Sequence, residues 1–239
     1  METYDTQALK QKILSWGADL VGVADPELLK AIPTQPRNLL KPYRHAVSIG
    51  VSLPVAAFEM IVDQPTPIYN AIYQTANRLL DDIAFKTAST LQQDGYLSLP
   101  VPASQIIDRE NLCGAISHKA VARIAGIGWQ GKNLLLITPR FGSRVRLVTV
   151  LTDAPLDADG PIKNRCGKCT SCQDACPAEA IRGINTEDHY QSRNEALHFQ
   201  RCADKLMQEF AALPGVEAPI CGICIKVCPF GRKKKRNLG

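Results

Sequence analysis

The chain has 239 residues, 45% of them apolar and 21% charged, with a formal net charge of +5. That length suits one or two buried cores, and no stretch approaches the roughly 18 uncharged apolar residues that a membrane span requires. The opening METYDTQALK has neither the basic start nor the apolar run of a secretory signal, so the expectation is a cytoplasmic protein with no membrane partner.

In chain order, Leu9, Ile13, Leu14 and Trp16 recur at near-helical spacing before Gly17, and DLVGVAD then reads as a short strand. AVSIGVSLP (46–54) reads as a buried strand ended by proline. Residues 65–95 carry Ile72, Ala76, Leu79, Leu80, Ile83 and Leu91 on one face of a long helix that closes at Gly95. A proline-punctuated extended piece follows (LSLPVPASQIID), then a helix over 115–125, and strands at LLLIT (134–138) and SRVRLVTVLTD (143–153). The pattern predicts a mixed α and β body. DAPLDADGPIKN (153–164) marks a boundary, which divides the chain into residues 1–157 and residues 158–239. Lys226, Arg232, Lys233, Lys234, Lys235 and Arg236 concentrate the positive charge in the C-terminal stretch. It reads either as a solvated tail or as a device that steers toward nucleic acid or an acidic partner.

Eight of the nine cysteines lie after position 160. So many thiols in a reducing compartment imply a metal. CxxCxxCxxxCP at 166–177 is echoed by CxxCxxxCP at 221–229. In the bacterial ferredoxin spacing, three cysteines of such a run wrap one cluster and the fourth reaches the other. By that pseudo-symmetry one cluster takes Cys166, Cys169, Cys172 and Cys228. The other takes Cys176, Cys221 and Cys224, with Cys202 as the remaining cysteine of the region. The competing readings are zinc, which usually takes two separated ligand pairs, and disulfides, which a cytosolic chain should not hold. Two [4Fe-4S] clusters fit best, and they imply transfer of single electrons.

GIGWQGK (126–132) contains GxGxxG. A dinucleotide loop must follow a strand and open a helix, whereas here a helical stretch precedes and a strand follows. Gly128 and its neighbours read instead as permitting tight packing or close approach to a large planar ligand, with Lys132 as a polar contact.

IIDRENLCGAISHKAVARIAGIGWQGKNLLLITPRFGSRVRLVTVLTDAPL (106–156), together with the two cysteine runs, resembles the epoxyqueuosine reductase family and its relatives, the reductive dehalogenases. The resemblance covers about half of the chain; RNLLKPYRHAVSIGVSLP adds a fainter match to the family's early strand. It implies an α+β fold: a nitroreductase-like cobalamin-binding domain over 1–157 and a bacterial-type two-cluster ferredoxin domain over 158–239. It further implies that an external low-potential donor, a ferredoxin or flavodoxin, feeds electrons through the clusters to a corrinoid cobalt. Asp108 matches the family's proton-donating aspartate, Cys221 and Gly222 match its cluster loop against the corrin, and Leu136 and Leu147 match positions lining the cobalamin pocket. The helical-repeat region through which family members contact tRNA is not among these 239 residues, so the expected partners extend from tRNA to a corrinoid protein.

Each role has a plainer competitor. Asp108 could equally cap the following segment, and His118, expected to hold a corrin amide or relay a proton, could be a satisfied core histidine. Cys113 is either a core thiol or a cobalt ligand. Arg140, Arg144 and Arg146 could meet corrinoid carboxamides or phosphate, or form a charged sheet face. His189 and His198 fall in a polar insert and read as solvated. The leading reading is a cobalamin-dependent iron–sulfur reductase. Its alternatives are an electron carrier or reductive activator of a partner corrinoid protein, and an iron–sulfur flavoprotein.

Overall fold

The computed structural model describes residues 4–231; the basic run at 232–236 lies outside the described residues. In chain order the elements are α1 (Thr6–Ser15), β1 (Leu20–Ala24), α2 (Pro26–Leu29), β2 (His45–Ser52), α3 (Val55–Glu59), α4 (Pro67–Gln93), β3 (Ser98–Val101) and α5 (His118–Ile124). β4 (Trp129–Gln130), β5 (Leu136–Ile137), β6 (Val145–Thr152), α6 (Ser171–Asp174), α7 (Arg193–Ala196), α8 (Phe199–Asp204) and α9 (Ile223–Lys226) complete the chain. A π turn (Lys205–Glu209) and a 3-10 turn (Phe210–Ala212) follow α8 directly.

The described residues divide into two compact units. The first takes those through Ser52, Gln74–Gly128 and Arg146–Ile162, and the second takes Leu53–Tyr73, Trp129–Val145 and those from Lys163 onward. The first is built on a four-stranded sheet in the order β1-β2-β6-β3. β1 and β2 run antiparallel with Val21 opposite Ile49, and β3 and β6 run antiparallel with Leu99 opposite Leu151. Seven of the eight residues of β2 are buried, as expected for a strand covered on both faces, where apolar residues run on without alternation. The proline-punctuated piece supplies β3, and the edge position given by the strand order is where Pro100 can sit without costing the sheet an internal N–H bond.

Local chemistry fixes the helices. Asp5 Oδ1 accepts from the Ala8 N–H at 2.9 Å and caps α1, which buries Leu9 and Ile13 one turn apart. α4 buries Ala76, Leu80, Ile83, Ala84, Ala88 and Leu91 in one stripe, but Leu79 remains 38% exposed. The predicted face is therefore corrected at that position. Leu79 stands one 100° step from Leu80, enough to turn it off the stripe. Asp159 ties the end of the first unit to its beginning, accepting from Lys10 Nζ and from the Val23 N–H, each at 2.7 Å. LLLIT contributes only a two-residue strand, Leu136–Ile137, paired with β4. The second unit has its own apolar cluster of Leu134, Ile181, Tyr190, Ala196 and Leu197, against which Cys172, Cys176 and Cys224 pack. Among the described residues no helix is long and apolar enough to cross a membrane.

The glycine motif lies between α5 and β4, the reverse of the order a dinucleotide loop needs. Gly126 follows α5 with φ +71°, and a methyl group there would stand 2.5 Å from the Gly160 carbonyl oxygen. Both the left-handed backbone and the backbone neighbour exclude a side chain. Gly126→Ala is expected to cost about 2–4 kcal/mol, seen as a lower denaturation midpoint of the anaerobically purified protein; an unchanged midpoint would show that the two backbone segments separate freely.

Candidate metal centres

Cys166, Cys169, Cys172 and Cys228 line one cavity in the second unit, together with Lys132, Asn133, Ile137, Pro229 and Phe230. Cys172 lies near the other three: burial chiefly, then the charges of Cys166, Cys169 and Cys228, push its thiol up to about 11. A second group forms around Cys224. Burial, followed by Cys221, Cys202, Cys172 and Cys176, raises its thiol well above the ordinary value. Cys221 is pushed up to about 11, again chiefly by burial, with Cys202 and Cys176 among the neighbours that add to it. The fold thus gathers Cys166, Cys169, Cys172 and Cys228 in one place and Cys176, Cys202, Cys221 and Cys224 in another. None of the nine cysteines forms a disulfide.

Crowded, desolvated thiols resist ionisation unless a cation takes up the charge. Four sulfurs lining one cavity are a donor set that suits a cluster in which each sulfur meets its own iron. The surrounding groups fit the same donor set. Trp129 Nε1–H donates to Cys166 Sγ at 3.4 Å, and the Ala180 N–H donates to Cys176 Sγ at 3.3 Å. Lys132, 5% exposed, donates to the Cys169 carbonyl at 2.9 Å. Asn164 Oδ1 accepts from the Cys166 N–H at 2.8 Å while its amide donates to the Gln130 carbonyl at 3.0 Å. Gly222 opens α9 with φ +87°, and a methyl group there would stand 2.4 Å from Ile61 Cδ1.

The other candidates fall in both units. In the first, Asp108 is half-exposed, and its two oxygens accept from the backbone and side-chain N–H groups of Asn111, each at 2.8 Å. Backbone bonds in both directions join it to Cys113, whose thiol lies 3.3 Å from the Asn111 carbonyl. His118 Nδ1 is 2.8 Å from Thr149 Oγ1 and Nε2 is 3.0 Å from the Pro102 carbonyl. Burial brings its pKa down to about 4, so the ring is neutral, with Nε2–H donating to Pro102 and Nδ1 accepting from the Thr149 hydroxyl. Leu147 is buried in β6, Gly128 is buried just before β4, and Arg146 donates to Asn77 Oδ1 at 2.9 Å. In the second unit Leu136 is buried in β5, Arg144 is buried with a bond to the Gly231 carbonyl, and Arg140 stacks on Phe141. His189 pairs with Asp188 at 2.6 Å and His198 is exposed.

Residues 165–231 match the family model for a 4Fe-4S double cluster binding domain. The epoxyqueuosine reductase of Bacillus subtilis (strain 168) is 37% identical over 132 residues, 52% of this chain and 32% of that enzyme. That of Staphylococcus aureus is 26% identical over 234 residues, 94% of this chain and 58% of that enzyme. The chain resembles the epoxyqueuosine reductases. It spans about a third of the length of the Bacillus relative. Among solved structures, the catabolic reductive dehalogenase NpRdhA superposes with a TM-score of 0.76 at 20% identity, covering 95% of this chain and 32% of that one. A structure of the Bacillus subtilis epoxyqueuosine reductase gives 0.63 at 24% identity, covering 98% and 67%. These two share the fold.

Four residues around the cysteines were not singled out from the sequence: Trp129, Gln130, Asn164 and Tyr190. Tyr190 donates its N–H to Gln130 Oε1 at 2.9 Å, which links the insert between the cysteine runs to β4. Tryptophan inside a glycine-rich loop that precedes a cysteine run was the available signal for Trp129. Its N–H stabilises the more negative, reduced state of any cluster bound through Cys166. Trp129→Phe is therefore expected to lower one of two cluster potentials by about 20–60 mV, the equivalent of one hydrogen bond, in an EPR-monitored redox titration. Two unchanged potentials would show that the indole plays no electronic part.

Proposed function

We propose that this chain is an iron–sulfur oxidoreductase of the epoxyqueuosine reductase type, passing single electrons through two [4Fe-4S] clusters to a bound corrinoid. The observation that carries the reading is the gathering of eight cysteines into two groups of four, each drawing members from both cysteine runs. Interleaving of that kind keeps two clusters close enough to relay electrons. Similarity to the epoxyqueuosine reductases supports the corrinoid, and with it a nitroreductase-like arrangement for the body outside the cysteine region.

In this reading Cys166, Cys169, Cys172 and Cys228 hold the first cluster, and Cys176, Cys202, Cys221 and Cys224 the second. The protein supplies burial, fixed sulfur geometry and N–H donors to the sulfurs, which set the potentials. Cobalamin, when bound, supplies a cobalt centre for the demanding redox step. Asp108 is the chain's own candidate for delivering a proton, because its carboxylate is partly accessible and is fixed by Asn111. His118 has both ring nitrogens engaged, and Lys132 is committed to the Cys169 carbonyl. Their contribution in this reading is to hold β6 and the cysteine loop in place rather than to touch a ligand. A ferredoxin or flavodoxin is the proposed donor, and tRNA or a corrinoid protein the proposed acceptor partner.

The test is anaerobic reconstitution followed by gel filtration with hydroxocobalamin. The reading expects about one cobalt retained per chain, reduced faster by dithionite with the protein than without it. Cys202→Ala is expected to keep the corrinoid, lose about half of the iron and slow that reduction. Retention of a flavin in place of cobalt, or full iron in the Cys202 variant, would contradict the reading or its ligand assignment respectively.

A further inference from the structure

The first unit contains a cavity of about 830 Å³, lined by residues of α2, the turn that follows it and the approach to β2, which none of the foregoing uses. Its size falls within the usual range of small-molecule sites. Lys30, Arg37, Lys41 and Arg44 all line it, against one carboxylate, Glu27. Glu27 is already paired with Lys30 at 2.7 Å, which leaves three cations for a ligand. The wall between them is apolar: Leu29 and Ile32 are buried, and Pro33 and Leu40 extend the surface. Tyr43 stands half-buried in the lining and offers a ring for stacking.

His45 is a further member of the lining. It is only 9% exposed, and its Nδ1 has no hydrogen-bond partner in the structure. Burial, more than any other influence, lowers its pKa, while a hydrogen bond with the Ala154 backbone acts in the opposite direction. Buried polar atoms are normally satisfied, so this ring nitrogen is an exception among the described residues.

We propose that this cavity binds a nucleoside 5′-monophosphate. The phosphate meets Arg37, Lys41 and Arg44, and the base lies between Tyr43 and the apolar wall. Guanidinium forks match phosphate oxygens in pairs. An apolar slot beside such a cluster selects a phosphate that carries a planar group over the bare ion. This site does not depend on the clusters or the corrinoid.

Isothermal titration of the anaerobic holoprotein with AMP, GMP, CMP and UMP, their nucleosides and inorganic phosphate, at about 150 mM salt, tests it. At least one nucleotide should saturate a single site, with its nucleoside and inorganic phosphate at least about tenfold weaker. Arg37→Gln and Arg44→Gln should each weaken it about tenfold or more, and Tyr43→Leu should weaken it without altering the visible spectrum of the clusters. The proposal is overturned if no nucleotide saturates, if the arginine variants bind like the parent, or if inorganic phosphate binds as tightly. It is also overturned if only RNA oligomers bind. Displacement of the nucleotide by cobalamin but not by cobinamide, which lacks the nucleotide tail, would assign the cavity to the corrinoid and equally refute an independent site.

Discussion

Eight thiols gathered in two groups form the constraint on which the second unit depends. A desolvated thiolate beside three others is unfavourable, and an empty cage of neutral thiols gains little from its own contacts. In the proposed reading a polynuclear iron centre neutralises each set of sulfurs, which couples folding of this unit to cluster binding. The secondary structure agrees with that dependence. α6 and α9 are four residues each, and α8 runs straight into a π turn. These short pieces bury little apolar surface apart from the Leu134 and Tyr190 cluster.

The same constraint accounts for the segments that join the cysteine region from earlier in the chain. Trp129, Gln130 and Lys132 belong to the second unit and bond to Cys166, to Asn164 and Tyr190, and to the Cys169 carbonyl. Phe230 packs edge-on against Trp129 with ring centroids 4.8 Å apart, and a methyl group at Gly142 would stand 2.2 Å from the Phe230 carbonyl oxygen. α3 is drawn in as well, for Lys226 at the end of α9 donates to the carbonyls of Glu59 and Ile61. The cysteine loops are thus braced by a β-hairpin and a helix end lying far from them in sequence, and the indole N–H of that hairpin reaches the Cys166 sulfur.

What the sequence made legible follows from the range of each signal. Periodicity acts within a turn or two, so α1, β2, α4, α5 and β6 could be read from Leu9, from the run AVSIGV, from the Ala76–Leu91 stripe, from the helical stretch at 115–125 and from VRLVTV. Cysteine spacing is also local, and together with pseudo-symmetry it yields the two ligand sets proposed above. Longer-range features carried no such mark. Nothing in LLLIT tells that only Leu136 and Ile137 pair as a strand while Leu134 joins the cluster of Ile181 and Tyr190. Nothing in SHKAV tells that Thr149 and Pro102 engage both nitrogens of His118. The basic cavity also escaped notice, because Lys30, Arg37, Lys41 and Arg44 are spread over fifteen residues and converge only where the chain turns from α2 into β2.

The most direct measurement is joint quantification of iron, acid-labile sulfide and zinc in protein purified without oxygen, with Mössbauer spectroscopy of the iron. The account predicts about eight iron and eight sulfide per chain, all in cubane form. Stoichiometric zinc with no sulfide would contradict it.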